Sequence, residues 1–485
     1  MKKVDYINIS TLALLLYSLI LFCISYYPAK AITFRVEQWD IYRFYSGYTF
    51  NFLQPESWLK IAFWTPFNDF RCIPLAYLWN FVEFKLLGNY NFSYLIFSTC
   101  LHLINCALLA NFVKILIGSS NPLTGIFGFI FLLLFPSKFE VIIWTFFSYK
   151  LFHVTLILLS LTYFERYLHS PRKPIAYISI VCLFLSYFFY EASVPIGFVY
   201  VWRLFVNNAS LESSGRKFFL FLIFASYFVY TSIYLATTYY IPSHLNMINV
   251  QGQLIGMLGN IWTNVLTVFT SLYRWFSYGL LMGNSGLPLR LVPTPFHLSF
   301  VVLTPADIVF TCLLIWGLLF ATITHCIRLW RNCLYILLIL LSGIVLVLIG
   351  RAIPNGPEYL ARMSIYNYFP SVFLAALLGY PLGATLFGST GFIRRSVLII
   401  SFVFLITLLT ITNYRTVRQY VAFNEPLSVL IEEVGEFIRN NPDKKVHIED
   451  IEVPFAPTWS DFVTHKSHAY NVLSLLYGDR IVKGP

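Results

Sequence analysis

Charge is the scarcest commodity in this chain. Only 11% of its 485 residues are charged, and Asp plus Glu number 22. Soluble domains carry roughly 25% charged residues. A water-soluble fold of this size has too little interior to hide 58% hydrophobic residues at a mean hydropathy of +0.70, so a soluble enzyme is excluded and a polytopic membrane protein is implied. Paired cysteine motifs are also lacking. Seven of the eight cysteines (Cys23, Cys100, Cys106, Cys182, Cys312, Cys326 and Cys333) sit in or at the ends of apolar runs, and Cys72 lies in a long loop. No CxxC pair or disulfide framework is visible. There is no P-loop, no GxGxxG after a strand, no GxSxG and no HExxH, which leaves no ATP, nicotinamide or zinc-protease signature. The nine histidines show no metal spacing. His102 reads as a hydrogen-bonded core residue, and His465 and His468 read as surface residues on a helix.

The net charge of +11 is spread between apolar runs rather than gathered on one soluble domain, which argues against nucleic acid as a partner. Hydropathy predicts spans at about 11–28, 93–117, 123–138, 148–164, 174–190, 193–207, 218–240, 304–325, 332–350, 366–388 and 396–413. The first run ends in Ala29-Lys30-Ala31, a pattern shared with cleavable signal peptides, but its length favours a retained span. With the N-terminus inside, four cytoplasmic loops carry Arg166, Arg172 and Lys173; Arg216 and Lys217; Arg328 and Arg331; and Arg394 and Arg395. That repeats the positive-inside rule and sends the C-terminus outside. Residues 253–277 are apolar yet would invert everything downstream as a span, so they read as an interfacial or re-entrant helix, or half of a hairpin.

Residues 1–413 form the expected membrane domain, with large outer loops at 29–92 and 241–303. Residues 414–485 differ in composition. Leu427, Leu430, Ile431, Val434 and Ile438 recur at helical spacing before Pro442; a strand is expected in "KKVHIEDIEV" and a second helix in "WSDFVTHKSHAYNVLSLLYGD". This is the pattern of a small α/β outer unit.

The topology sorts the acids. Glu37, Asp40, Asp69, Glu140 and Glu191 all fall on the outer side, at or near span ends. Any one of them is more readily a loop charge or helix cap than a functional group, but five at successive span mouths point to a shared cavity. In "RVEQWDIYRFY" a helix would place Glu37 and Asp40 on one face. Such carboxylates can take a proton from an attacking hydroxyl or contribute to a divalent-cation site; two are too few for a dedicated metal cage, so no metal ligand set is assigned. The plainer alternative is an interfacial amphipathic helix. Arg71 beside Asp69, and Arg351 and Arg362 on the outer side, suit a phosphate or carboxylate as well as an ion pair or a snorkelling helix end.

Four motifs in order resemble the GT-C superfamily of polytopic glycosyltransferases, near the protein O-mannosyltransferases. They are "VEQWD" after the first span; Asp69, Arg71, Pro74, Gly88, His102 and Asn105; then Pro136, Glu140, Val141 and Trp144; then Glu191 and Pro195. Arg362, Tyr368, Pro370 and Ser371 match a late segment. The likeness covers roughly residues 30–200 well. Many relatives have two adjacent acids or an acid-x-acid in the first loop, where this chain has Glu-x-x-Asp. The resemblance implies an all-α GT-C fold of about 11 spans in a bacterial inner membrane and an outward-facing site. It further implies a sugar donor on a polyprenyl phosphate such as undecaprenyl phosphate. The acceptor would be an extracytoplasmic glycan, with glucose added to O-antigen as in serotype-converting glucosyltransferases. In that scheme Asp40, with Glu37 or Asp69 as alternatives, is the base, and Arg362, Arg351 and Arg71 hold the donor phosphate. A flippase for lipid-linked glycans and a polysaccharide polymerase are the competing expectations.

Overall fold

The computed structural model describes residues 2–31, 42, 44–46, 54–63, 72–88, 91–135, 138–143, 147–206, 212–245, 292–293, 298–299, 330–344, 368–387, 392–451 and 466–482. These residues are overwhelmingly helical. In chain order the helices are α1 (Lys2–Tyr26), α2 (Pro55–Phe63), α3 (Pro74–Leu87), α4 (Asn91–Ile117), α5 (Ile126–Leu134), α6 (Phe139–Ile143) and α7 (Ser148–His169). They continue with α8 (Lys173–Phe189), α9 (Ile196–Val206), α10 (Ser213–Leu245), α11 (Trp330–Ile344), α12 (Tyr368–Leu386), α13 (Phe392–Asn440) and α14 (Lys466–Tyr477). Two two-residue strands, β1 (Val292–Pro293) and β2 (Leu298–Ser299), pair antiparallel. The expected span at 304–325 and the segment 253–277 lie outside the described residues.

Among the described residues, four helical stretches are long and apolar enough to cross a membrane: Thr11–Lys30, Asn91–Ile117, Ser213–Ile241 and Tyr368–Leu386. Two of them carry apolar side chains on exposed faces where a soluble protein would carry charge. On α1, Ile9, Leu12, Leu16, Ile20 and Ile24 are exposed; on α10, Phe221, Phe224 and Phe228 are. Lipid is the solvent that such faces suit. Hydroxyls on these helices bond back to their own backbone, as do Ser18 to Leu14 O and Ser232 to Phe228 O, both at 2.8 Å.

Cross-helix contacts fix direction. On α4 and α12, His102 and Asn105 meet Tyr368, while Leu116 and Tyr380 share Asn332, so these helices run the same way. Ser160 with Tyr200 and Glu165 with Arg203 align α9 with α7. Phe152 with Phe189 and Ser160 with Ser179 make α8 antiparallel to α7. Phe127 and Phe131 with Phe402, then Leu134 with Asn413, align α13 with α5. Helices α5 and α12 touch through glycine: a Cβ on Gly379 would sit 2.3 Å from the Gly128 nitrogen. Side chains there would force the helices apart.

Two sequence expectations differ from the structure. The span expected at 123–138 is broken: α5 ends at Leu134, Phe135 is extended, and α6 restarts at Phe139. Buried α5 carbonyls would be left without partners at such a break. The Lys138 amino group supplies them, donating to Leu133 O at 2.5 Å and Phe135 O at 2.7 Å. The boundary expected at 413 falls inside one continuous 49-residue helix, α13. Its far end packs Leu430 and Val434 against Ile448, Leu473 and Ile481 in a small separate core. There β3 (Val446–His447) pairs parallel with β4 (Ile481–Val482).

Candidate functional site

One end of the bundle collects polar groups around the start of α7. Helix α3 begins with Pro74 in the first turn, where the missing N–H costs nothing. Its buried face carries Ala76, Tyr77, Asn80, Phe81, Glu83 and Phe84, so a carboxyl and an amide one turn apart point inward. Trp79 stacks on Phe152 of α7 at 4.3 Å and meets Phe189 of α8 edge-on. Its indole N–H donates to Ser148 Oγ at 3.0 Å, and Ser148 donates to Glu83 Oε2 at 2.5 Å. Burial pushes the Glu83 carboxyl up from 4.5 to about 8, against the lowering effect of the Ser148 hydrogen bond. Glu83 Oε1 and both polar atoms of Asn80 are buried with no hydrogen-bond partner among the described residues.

Beside this pair, Lys150 lies over the rings of Phe147 (4.6 Å) and Tyr190 (5.0 Å), and His153 meets Tyr190 edge-on at 5.5 Å. Glu191 opens the 3-10 turn Glu191–Ser193 between α8 and α9. It is half-buried, and its Oε2 has no hydrogen-bond partner among the described residues. Cys72, one residue after Arg71, approaches Thr237 of α10 at 3.4 Å and packs with Ala62, Phe63 and Ile241. Burial pushes its thiol up to about 11; Thr237 opposes this and the charge of Glu191 adds to it. Part of the first long loop is therefore folded onto the same end as the α8–α9 turn.

Deeper in the bundle, Asn105 donates to Leu151 O (2.8 Å) and Tyr368 Oη (3.0 Å) and accepts from Thr155 (2.7 Å). His102 Nδ1 lies 3.0 Å from the same tyrosine, the hydrogen-bonded core role expected from the sequence. At the opposite end Arg203 grips Glu165 through Nε (3.1 Å) and Nη2 (3.0 Å), while Nη1 donates to Asn332 (2.8 Å).

Of the acids and arginines singled out in the sequence, Glu191 is placed at the polar end. Glu140 lies on α6, with its side chain outside the description. Glu37, Asp40, Asp69, Arg71, Arg351 and Arg362 lie outside the described residues, as does His465. Among the described residues no group of three or more His, Cys, Asp or Glu side chains could hold a metal ion. Glu83, Asn80, Lys138, Lys150 and the Glu165–Arg203 pair escaped the sequence reading. A helical projection from Pro74 would have found the first two, because Asn80 and Glu83 share the apolar face of "PLAYLWNFVEFKLL". No protein-family model matches the chain, and no curated protein matches it.

Proposed function

We propose that this protein is a GT-C-type glycosyltransferase of about 11 spans that uses a polyprenyl-phosphate-linked sugar. The observation that carries the reading is the gathering of first-loop residues, Cys72 and α3, with the Glu191 turn at one end of a helical bundle. Basic residues cluster at the other end, where Arg172 precedes α8, Arg216 and Lys217 lie in the first turns of α10, and Arg331 opens α11. Under the positive-inside rule the basic end is cytoplasmic and the acidic end faces out. Nucleotide sugars are absent there, so a lipid-phosphate donor is the chemically consistent one. The acceptor is an outer glycan, with glucose on O-antigen as the specific expectation, in a bacterial inner membrane. Residues 414–485 form an outer unit beside the site.

In this mechanism Asp40 takes the proton from the acceptor hydroxyl, with Glu37 or Asp69 as the alternative base. The oxygen attacks the anomeric carbon as the bond to the carrier phosphate breaks, and the electron pair leaves with the phosphate. Inversion is expected. Arg362, Arg351 and Arg71 stabilise the phosphate by charge-assisted hydrogen bonds. Glu140 and Glu191 line the cavity. A divalent cation is compatible with the acids but no step depends on it.

The test is sugar transfer from a panel of radiolabelled polyprenyl-phosphate sugars, with matched protein levels. Asp40→Asn should lower turnover by ~10²–10⁴ with donor binding retained. Arg362→Ala should weaken donor affinity, and Arg362→Lys should restore it only in part. No covalent product with any donor sinks the transferase. Movement of intact lipid-linked sugar would then favour the flippase, which the broken α5–α6 segment also suits.

A further inference from the structure

Three buried polar atoms on α3 lack partners among the described residues: Glu83 Oε1, Asn80 Oδ1 and Asn80 Nδ2. The two side chains do not bond to each other although they lie one turn apart on the same face. Burying such groups unpaired is costly, so a partner is implied. Their chemistry restricts what that partner is. Asn80 offers a donor and an acceptor together. A bare cation would leave the amide hydrogens facing positive charge, and an anion would leave the amide oxygen facing negative charge. An alcohol or water, which both donates and accepts, satisfies all three.

The pair is also held from behind. Trp79 donates to Ser148, and Ser148 donates to Glu83 Oε2, which leaves Oε1 to face the ligand. With its carboxyl titrating near 8, Glu83 keeps its proton at neutral pH and presents Oε1–H as a donor. The relay itself sits among aromatics: Phe97, Phe152 and Phe189 pack on Trp79, the residue next to Asn80. Hydroxyl groups are what a sugar offers most of, and each can both donate and accept as the amide and carboxyl require.

We propose that Asn80 and Glu83 are a hydroxyl-recognition pair for the glycosyl group of the lipid-linked donor, positioned by the Trp79–Ser148 relay. This rests on the glycosyltransferase reading. Both side chains are closed off in this structure, so ligand entry separates α3 from the start of α7 and strains the Trp79–Ser148 bond.

The experiment measures binding of polyprenyl-phosphate hexoses, and of their single-deoxy analogues, to the full-length chain in detergent. The variants are Asn80→Leu and, in case that one misfolds, Asn80→Asp and Glu83→Gln. The expected result is that one deoxy analogue binds the unmodified chain about 10-fold more weakly than its parent. The Asn80 variants should bind parent and analogue equally. Discrimination that survives in every variant overturns the assignment. Deoxy analogues that all match their parents in the unmodified chain mean that internal water alone serves these atoms, which also overturns it. If no polyprenyl-phosphate sugar binds better than sugar-free polyprenyl phosphate, the transferase reading falls first and takes the subsite with it.

Discussion

The two ends of the bundle treat buried polar groups in opposite ways. At the basic end, Glu165, Arg203 and Asn332 use every polar side-chain atom. Arg203 donates three times, both Glu165 oxygens accept, and Asn332 reaches Leu116 O and the Tyr380 hydroxyl. The Tyr335 ring lies 4.5 Å under the guanidinium; its hydroxyl and that of Thr162, one turn before Glu165, lack a hydrogen-bond partner among the described residues. At the acidic end Glu83, Asn80, His153 and Glu191 each keep an atom unsatisfied. A saturated network ties helices together and has no capacity left for a ligand. An unsaturated one carries a standing cost that a ligand can relieve. The contrast separates scaffold from site more sharply than residue type does, since both ends hold glutamates.

The comparison predicts where damage falls. The largest loss of stability should come from Arg203→Met, which leaves the Glu165 carboxylate buried and alone, at ~3–5 kcal/mol. Thermal unfolding in detergent should show it, and the added change Glu165→Leu should recover much of the loss. If the single variant unfolds at the normal temperature, the basic end is not the scaffold.

The next effect is pH-dependent. Glu83 has a folded-state pKa near 8 against an ordinary 4.5, so between those values the folded chain holds a proton that the unfolded chain has released. Stability from this group is full below about 4.5, falls as pH rises, and levels off above about 8, with a slope of at most ~1.4 kcal/mol per pH unit. Glu83→Gln should remove that slope. An unchanged pH profile of the melting temperature would place Glu83 in a wetter setting than the structure shows. The smallest effect should be that of Glu191→Gln, within about 0.5 kcal/mol, because the side chain is half-buried and its Oε2 has no bond to lose. A loss as large as that for Arg203→Met would erase the distinction between the ends.

Much of this was readable from the sequence because lipid acts on every residue locally. The long apolar helices near the expected spans 11–28, 93–117, 218–240 and 366–388 and the core role of His102 follow from hydropathy and spacing over one or two turns. So does the inward set Leu430, Ile431, Val434 and Ile438 in the C-terminal segment. What was not readable depends on partners far apart in the chain. Glu165 sits beside Arg166 at the end of an apolar run and looks like a loop charge until Arg203 comes to face it. "FPSKFE" reads as a turn, and only the packing of α1 shows that Lys138 points inward, 5.7 Å from the rings of Phe22 and Tyr26. The composition changes at residue 414 because the surroundings change, but the helix runs on through Pro426 to Asn440.

That uninterrupted helix acts as a ruler. At 1.5 Å per residue its 49 residues extend ~74 Å, more than twice a ~30 Å hydrocarbon core. Asn413 is level with the end of α5, and Leu430 therefore stands ~25 Å further along the same rod. Pro426 removes one backbone hydrogen bond along this stretch, and each residue added to the helix lifts the C-terminal core ~1.5 Å and turns it by ~100°. Removing two residues between Asn413 and Leu430 would swing that core to the far side of the axis while lowering it by only ~3 Å. Orientation, far more than distance, is what this helix meters.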